Sequence, residues 1–178
     1  MKRNGFSLIE ALIVVAIAGI VAGMALKLYP MMTLYFLQGQ ARQRANFEAR
    51  ACLDAIGVAT RQGLAGSIQP LLTAPTSWIG FNAASPLPTG TKTYRFSLLA
   101  DGTVEEQDIT TTSVVRKRTL ASNVSTFLFS GNPQDPSVIY VTLQIDVPIG
   151  GFTDASGHPR VATVRVDTEE FHLAVNPG

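Results

Sequence analysis

Between Phe6 and Leu26 the chain runs for 21 residues with a single charge, Glu10, and Lys27 ends the run. As a helix this segment is about 31 Å long at about 1.5 Å per residue, enough to cross a bilayer core of about 30 Å. Met1-Lys2-Arg3-Asn4-Gly5 before it is short, basic and polar. Lys2 and Arg3 predict an amino end held on the cytoplasmic side, with the rest of the chain outside. Glu10 is the oddity, because a carboxylate at the centre of an apolar segment costs about 2.5–3.5 kcal/mol on insertion scales. Such a group needs a partner. A cut between Gly5 and Phe6 would place a new amino group four residues before Glu10, one helical turn away. In a stack of parallel helices, each carboxylate could instead meet the amine of a neighbour shifted along the axis. Low dielectric favours either pairing over two unpaired charges. A conventional signal peptide cut after Gly23-Met24-Ala25 is the rival reading, and it leaves Glu10 without a purpose.

The stretch Gly5-Phe6-Ser7-Leu8-Ile9-Glu10 resembles the prepilin-peptidase site of type IV pilins and type II secretion pseudopilins. That pattern is a short basic leader, Gly, an aromatic residue, Ser or Thr, two aliphatics, Glu, and an uncharged run. The resemblance implies a leader over 1–5 ending at Gly5, N-methylation of Phe6 as the new first residue, and assembly directed by Glu10. It implies as partners prepilin peptidase, other pilin or pseudopilin subunits, an inner-membrane assembly platform and membrane lipid. It implies no cofactor and no catalytic residue. Losing Lys2 and Arg3 with the leader changes the formal charge from +1 to −1. A balance so close to neutral gives no general argument for a nucleic-acid partner.

The helix should not stop at the membrane. Leu34, Leu37, Ala41, Ala45, Ala49, Cys52 or Leu53, Ile56 and Ala59 recur at steps of three and four, one continuous helical stripe. Arg42, Arg44, Asn46, Arg50, Asp54 and Arg61 fall largely off it. Arg44 with Glu48, and Arg50 with Asp54, are opposite charges four apart. The four arginines read as a solvated face, since they are mixed with acids and lack interleaved aromatics other than Phe47. A DNA-binding competence pilin is the alternative on those residues. Gly63 and Gly66 mark the stop. The expectation is a membrane or filament-core segment over 6–28 and an amphipathic continuation over 29–62, kinked at Pro30, which lacks a backbone donor and crowds the preceding turn.

Residues 63–178 should form a β-rich head. The Gly-, Pro-, Ser- and Thr-rich stretch 63–91 reads as a loop that packs Trp78 and Phe81 as anchors. Strand-like runs follow over 93–99, 103–109, 113–120, 124–129, 138–147 and 161–175, with a hairpin turn at Asp101-Gly102. Ile139, Val141, Leu143, Ile145 and Val147 alternate with Tyr140, Thr142, Gln144 and Asp146, as in an antiparallel sheet with one face laid on the helix stripe. The fold class expected is α+β and pilin-like, with one antiparallel sheet of four to six strands. Tyr94-Arg95-Phe96, the Asp-Gly turn, Arg118-Thr119-Leu120-Ala121, Asn123-Val124 and Phe127-Leu128-Phe129 resemble minor subunits of the J/W type.

Other chemistry is sparse. His158 and His172 are the only histidines, and neither has a carboxylate or cysteine at ligand spacing. The sequence holds no phosphate-binding loop, dinucleotide fingerprint or nucleophile elbow. The loop 150–157 has oxygen donors for calcium but one carboxylate, and reads as a plain hairpin loop. Arg116-Lys117-Arg118 reads as solvent-exposed. Cys52, the single cysteine, reads as a small buried helix residue.

Overall fold

A computed structural model gives the fold and describes residues 7–64, 67–69, 75–83, 92–110 and 113–173. Helix α1 spans Leu8–Gln62 without interruption, and the α-helix continues through Pro30. Near that proline, Thr33 Oγ1 donates to the Tyr29 carbonyl at 2.9 Å. Residues 7–32 are exposed along their whole length, whereas Ala41, Ala45, Ala49, Cys52, Leu53, Ile56 and Ala59 are buried. Leu34 and Leu37 are partly buried against the same core. The predicted stripe is therefore the face that meets the head, and among the described residues none covers the apolar segment before it.

Seven strands follow, as β1 (Trp78–Ala83), β2 (Lys92–Leu98), β3 (Val104–Thr110), β4 (Ser113–Ala121), β5 (Val124–Asn132), β6 (Asp135–Thr153) and β7 (Pro159–His172). They form two sheets rather than one, ordered β1-β2-β3-β4 and β5-β6-β7, with every pairing antiparallel. This corrects the single sheet expected from the sequence. The chain changes sheets at Ser122–Asn123, where Asn123 has φ 55, a left-handed conformation that Asn tolerates better than most residues. An isolated antiparallel bridge pairs Thr76, two residues before β1, with Phe129 of β5.

β1 is a second correction, because it lies inside the stretch 63–91 read as a loop. Ile79, Phe81 and Ala83 are buried on one face; on the other Trp78 and Asn82 are half-buried and Gly80 is buried. Phe81 is the anchor expected of it, at 1% exposure, whereas Trp78 lies at the surface edge under the Arg95 guanidinium, 4.8 Å from its ring. The predicted hairpin joins β2 to β3. Gly102 has φ +77, which a residue without Cβ adopts at no steric cost. Asp101 Oδ1 closes the turn by accepting from Thr103 N at 3.0 Å and Thr103 Oγ1 at 2.6 Å.

The core lies between α1 and the inner faces of both sheets. Phe81, Phe96, Phe127 and Phe129 are its largest fully buried side chains. Phe127 and Phe129 meet edge to face with ring centroids 4.6 Å apart, a favourable arrangement of ring quadrupoles. β6 shows the predicted alternation, with Ile139, Val141, Leu143, Ile145 and Val147 buried. It runs past Val147 to Thr153, with a register shift between Pro148 and Thr153. The last strand pairs with β6 from Pro159 to His172, with a register shift opposite Val141 and Leu143.

Gly63 ends α1, with its N–H donating to the Thr60 carbonyl at 3.0 Å. Its backbone is extended, so conformation does not demand glycine there. Space does, since a Cβ would lie 2.6 Å from both Leu173 Cδ2 and Phe81 Cδ2. Gly66, the other expected stop signal, lies outside the described residues.

Candidate functional site

The amino-terminal turn of α1 carries the sequence-predicted site. Ser7 is its N-cap, extended at φ −70 and ψ 140, and Glu10 stands in the first helical turn. The Ser7 N–H donates to Glu10 Oε2 at 3.4 Å. Ser-x-x-Glu is the capping-box spacing, in which the third helical residue reaches back to the backbone donor of the cap. A carboxylate there also faces the positive end of the helix dipole. Glu10 thus has a local role that its isolation in an apolar run conceals. Gly5 and Phe6, the expected cleavage and methylation positions, lie outside the described residues.

The rest of the segment is a helix surface that no other described part of the chain covers. Its most apolar window has a mean hydropathy of 2.5 and none of it is buried. Leu8, Ile9, Val15, Leu26 and Met32 are each more than two-thirds exposed. The helix is long and apolar enough to cross a membrane, and burial of such a surface in lipid or against similar helices is strongly favourable at about 25 cal/mol per Å².

A second polar site joins this helix to the head. Glu48 Oε2 accepts from Ser122 N and Ser122 Oγ, both at 2.9 Å. Glu48 Oε1 accepts from Arg44 Nε at 2.9 Å, the ion pair expected from the sequence. Burial alone would raise the Glu48 pKa, but the hydrogen bonds from Ser122 and Arg44 outweigh it and hold the carboxyl below its ordinary value. Glu48 therefore fastens the helix to the corner where the chain passes from one sheet to the other. Its spacing from Arg44 signalled only the local pair. No ion pair joins Arg50 to Asp54, and Arg42, Arg50 and Arg61 are exposed.

The remaining candidates settle into structural roles. Arg116, Lys117 and Arg118 are exposed on β4 opposite an acidic β3. Lys117 Nζ lies 3.8 Å from Glu105, Arg118 Nε lies 3.9 Å from Glu106, and Lys92 Nζ lies 2.8 Å from Asp108. Glu105 and Glu106 thus offset Lys117 and Arg118 of the basic run. Cys52 is fully buried, and burial foremost, with the Glu106 charge second, pushes its thiol up to about 12. Each histidine stands near a carboxylate, contrary to the expectation from sequence: Asp154 lies 3.9 Å from His158, Glu170 lies 3.1 Å from His172, and the charge of Asp135 also interacts with His172. No group of three potential metal ligands comes together among the described residues. The loop after β6 is a hairpin turn built on Asp154, whose Oδ1 accepts from Ser156 N at 2.8 Å and His158 N at 2.9 Å.

With this geometry in place, similarity to known proteins is confined to the same segment. Residues 1–26 match the family model described as the prokaryotic N-terminal methylation motif. At its amino terminus the chain is thus similar to type IV pilin-like substrates of prepilin peptidase, a motif that is acted upon and does not itself catalyse. No curated protein and no solved structure matches the chain.

Proposed function

We propose that this protein is a minor structural subunit of a type IV pilus or type II secretion pseudopilus. Prepilin peptidase cuts it between Gly5 and Phe6 and methylates the Phe6 amine. The anchor crosses the inner membrane once, amino end inside and head outside, until an assembly platform passes the subunit into a filament of similar subunits. The observation that carries this reading is the methylation motif over 1–26 leading into a helix whose apolar half has no cover within the chain.

Glu10 supports the same reading. Its Oε2 lies 3.4 Å from Ser7 N, one residue from the amine that cleavage would create. The carboxylate is positioned to meet that amine, or to exchange it for the amine of an adjacent helix and so fix the register of assembly. Pro30, just beyond the anchor, lacks a backbone donor and gives the helix a place to bend as it leaves the membrane. The resemblance of the head to J/W-type minor subunits favours a minor over a major role.

The test is intact-mass spectrometry of the chain recovered from membranes of a host that contains prepilin peptidase. A mass that starts at Phe6 and carries one methyl group is expected. A start at Leu26 would mean ordinary secretion and end the filament reading.

A further inference from the structure

Each sheet of the head ends in a strand with one open edge. β4 ends the first sheet and β7 the second, and each pairs with a single neighbour. Among the described residues, no backbone hydrogen bond links β4 at 116–119 or β7 at 161–172 to a group outside its own sheet. Residues 116–119 are exposed in unbroken succession, so both faces of β4 are bare there. An unpaired edge of this kind is a template for another strand.

The two edges flank α1 at one height. Arg118 lines a groove with Asp54, Ala55 and Val58, and Phe171 packs on Gly57, where a Cβ would lie 3.1 Å from its ring. Both contacts fall within about 6 Å of helix rise. Ala55 and Gly57 stand about 200° apart round the axis at about 100° per residue, and Ile56 between them is buried in the core. The edges therefore lie on opposite flanks. β4 runs from Arg118, beside Asp54, to the corner where Ser122 meets Glu48, toward the amino end of the helix. β7 runs from Val161, in one groove with Leu34, to Phe171 at Gly57, away from that end. When two copies stand side by side with their helices parallel, β4 of one faces β7 of the next, level with it and antiparallel.

Charge selects the same pairing. β4 holds Arg116, Lys117 and Arg118 and no acid. Glu105 and Glu106 lie 3.8 and 3.9 Å from Lys117 and Arg118. Asp108, opposite Arg116, is held instead by Lys92 at 2.8 Å. Toward its end β7 reads Asp167-Thr168-Glu169-Glu170, after Arg165, which is engaged within the chain. Glu170 is exposed, with His172 as its near neighbour. Like charges on facing strands destabilise a pair and opposite charges stabilise it. Two β4 edges, or two β7 edges, are thus poor partners for each other. We infer that the basic β4 edge of one copy pairs with the acidic end of β7 in a second copy, extending one sheet into the next. Because the contact joins two different patches, it leaves a free edge on each side and repeats from copy to copy. It rests on the reading of α1 as a membrane anchor, which holds copies parallel and sets the edges level.

The test mixes two forms of the full chain in phosphatidylcholine vesicles and joins them with a short bismaleimide. One form carries Thr119→Cys on β4, and the other, tagged to differ in mass, carries His172→Cys on β7; both positions are exposed. Native Cys52 is buried and does not react. The 119–172 product should exceed the 119–119 and 172–172 products several-fold. Adding Arg116→Glu and Arg118→Glu to the first form should reduce it to the level of those same-edge products. Adding Glu169→Arg and Glu170→Arg to the second form should then restore it, which shows that the altered β4 still folds. Equal yields of all three products, with the chain floating with the vesicles, overturn the edge pairing and leave the anchor intact. A 119–172 product that ignores the β4 reversal, or a loss that the β7 reversal fails to restore, overturns the charge pairing. A chain that does not float with the vesicles overturns the anchor itself.

Discussion

Replacing Glu48 with Gln tests how the helix is fastened to the head. The Glu48 side chain is 16% exposed and accepts two bonds from Ser122 and one from Arg44. Hydrogen bonds to a charged group contribute about 1.5–3 kcal/mol, and the Arg44 pair, whose arginine is largely exposed, adds less than about 1 kcal/mol. Gln keeps one acceptor oxygen but loses the charge, so Glu48→Gln should cost about 2 kcal/mol. For a domain of this size that is a fall of about 4–8 °C in Tm. The pH dependence identifies the cause. Because the folded carboxyl is held below its ordinary value of 4.5, the stabilisation is fully present above that value and is lost as pH falls through the folded pKa. The gap between wild type and Glu48→Gln should therefore be full at neutral pH and close progressively in acid. Thermal unfolding of the full chain in detergent micelles, followed by Trp78 fluorescence and circular dichroism, measures it. Equal Tm values at neutral pH, or a gap that persists unchanged in acid, would refute the clamp.

Three further outcomes are expected. Glu10→Gln should leave cleavage at Phe6 largely intact and reduce incorporation into filaments, measured by mass and by filament content; normal incorporation rejects the register role. Cys52, with its thiol pushed up to about 12, should resist alkylation at neutral pH in the folded chain and take one adduct in denaturant, so an adduct on native protein would contradict its burial. Gly63→Ala brings a methyl into the space held by Phe81 and Leu173. The cost should be about 1–3 kcal/mol, seen as a lower urea midpoint, and an unchanged midpoint would show that the site yields.

The helix was legible because its signals are local and repeated. Seven steps of three or four residues define the stripe, and each residue of it from Ala41 to Ala59 is buried. The β6 alternation and the Asp101-Gly102 turn are likewise properties of neighbouring residues. β1 was obscured by composition, since Gly80 and the Pro- and Ser-rich flanks hide the Ile79, Phe81, Ala83 alternation. The division into two sheets depends on a single corner, where Asn123 turns left-handed between strands that look equivalent in sequence. Long-range polar contacts were the least legible. Glu48 shows its Arg44 partner four residues away but gives no sign of Ser122, 74 residues on. In the amino-terminal site the reverse holds: the capping spacing of Ser7 and Glu10 was plain, and the cost of a charge in an apolar run drew attention from it.

The long buried stripe by which α1 meets the head has a mechanical consequence. Any agent that lifts this chain out of a bilayer must pull on the helix, along its axis. Because the head is joined to that stem by a seam about 30 Å long, such a load acts in shear. Ala41, Ala45, Ala49, Cys52, Ile56 and Ala59 bear it together, with the Glu48 clamp as a cross-pin partway along. A joint loaded in peel fails one contact at a time, whereas this one must lose nearly all of them at once. The head can therefore be raised by its stem and stay folded while the apolar segment is withdrawn from a bilayer.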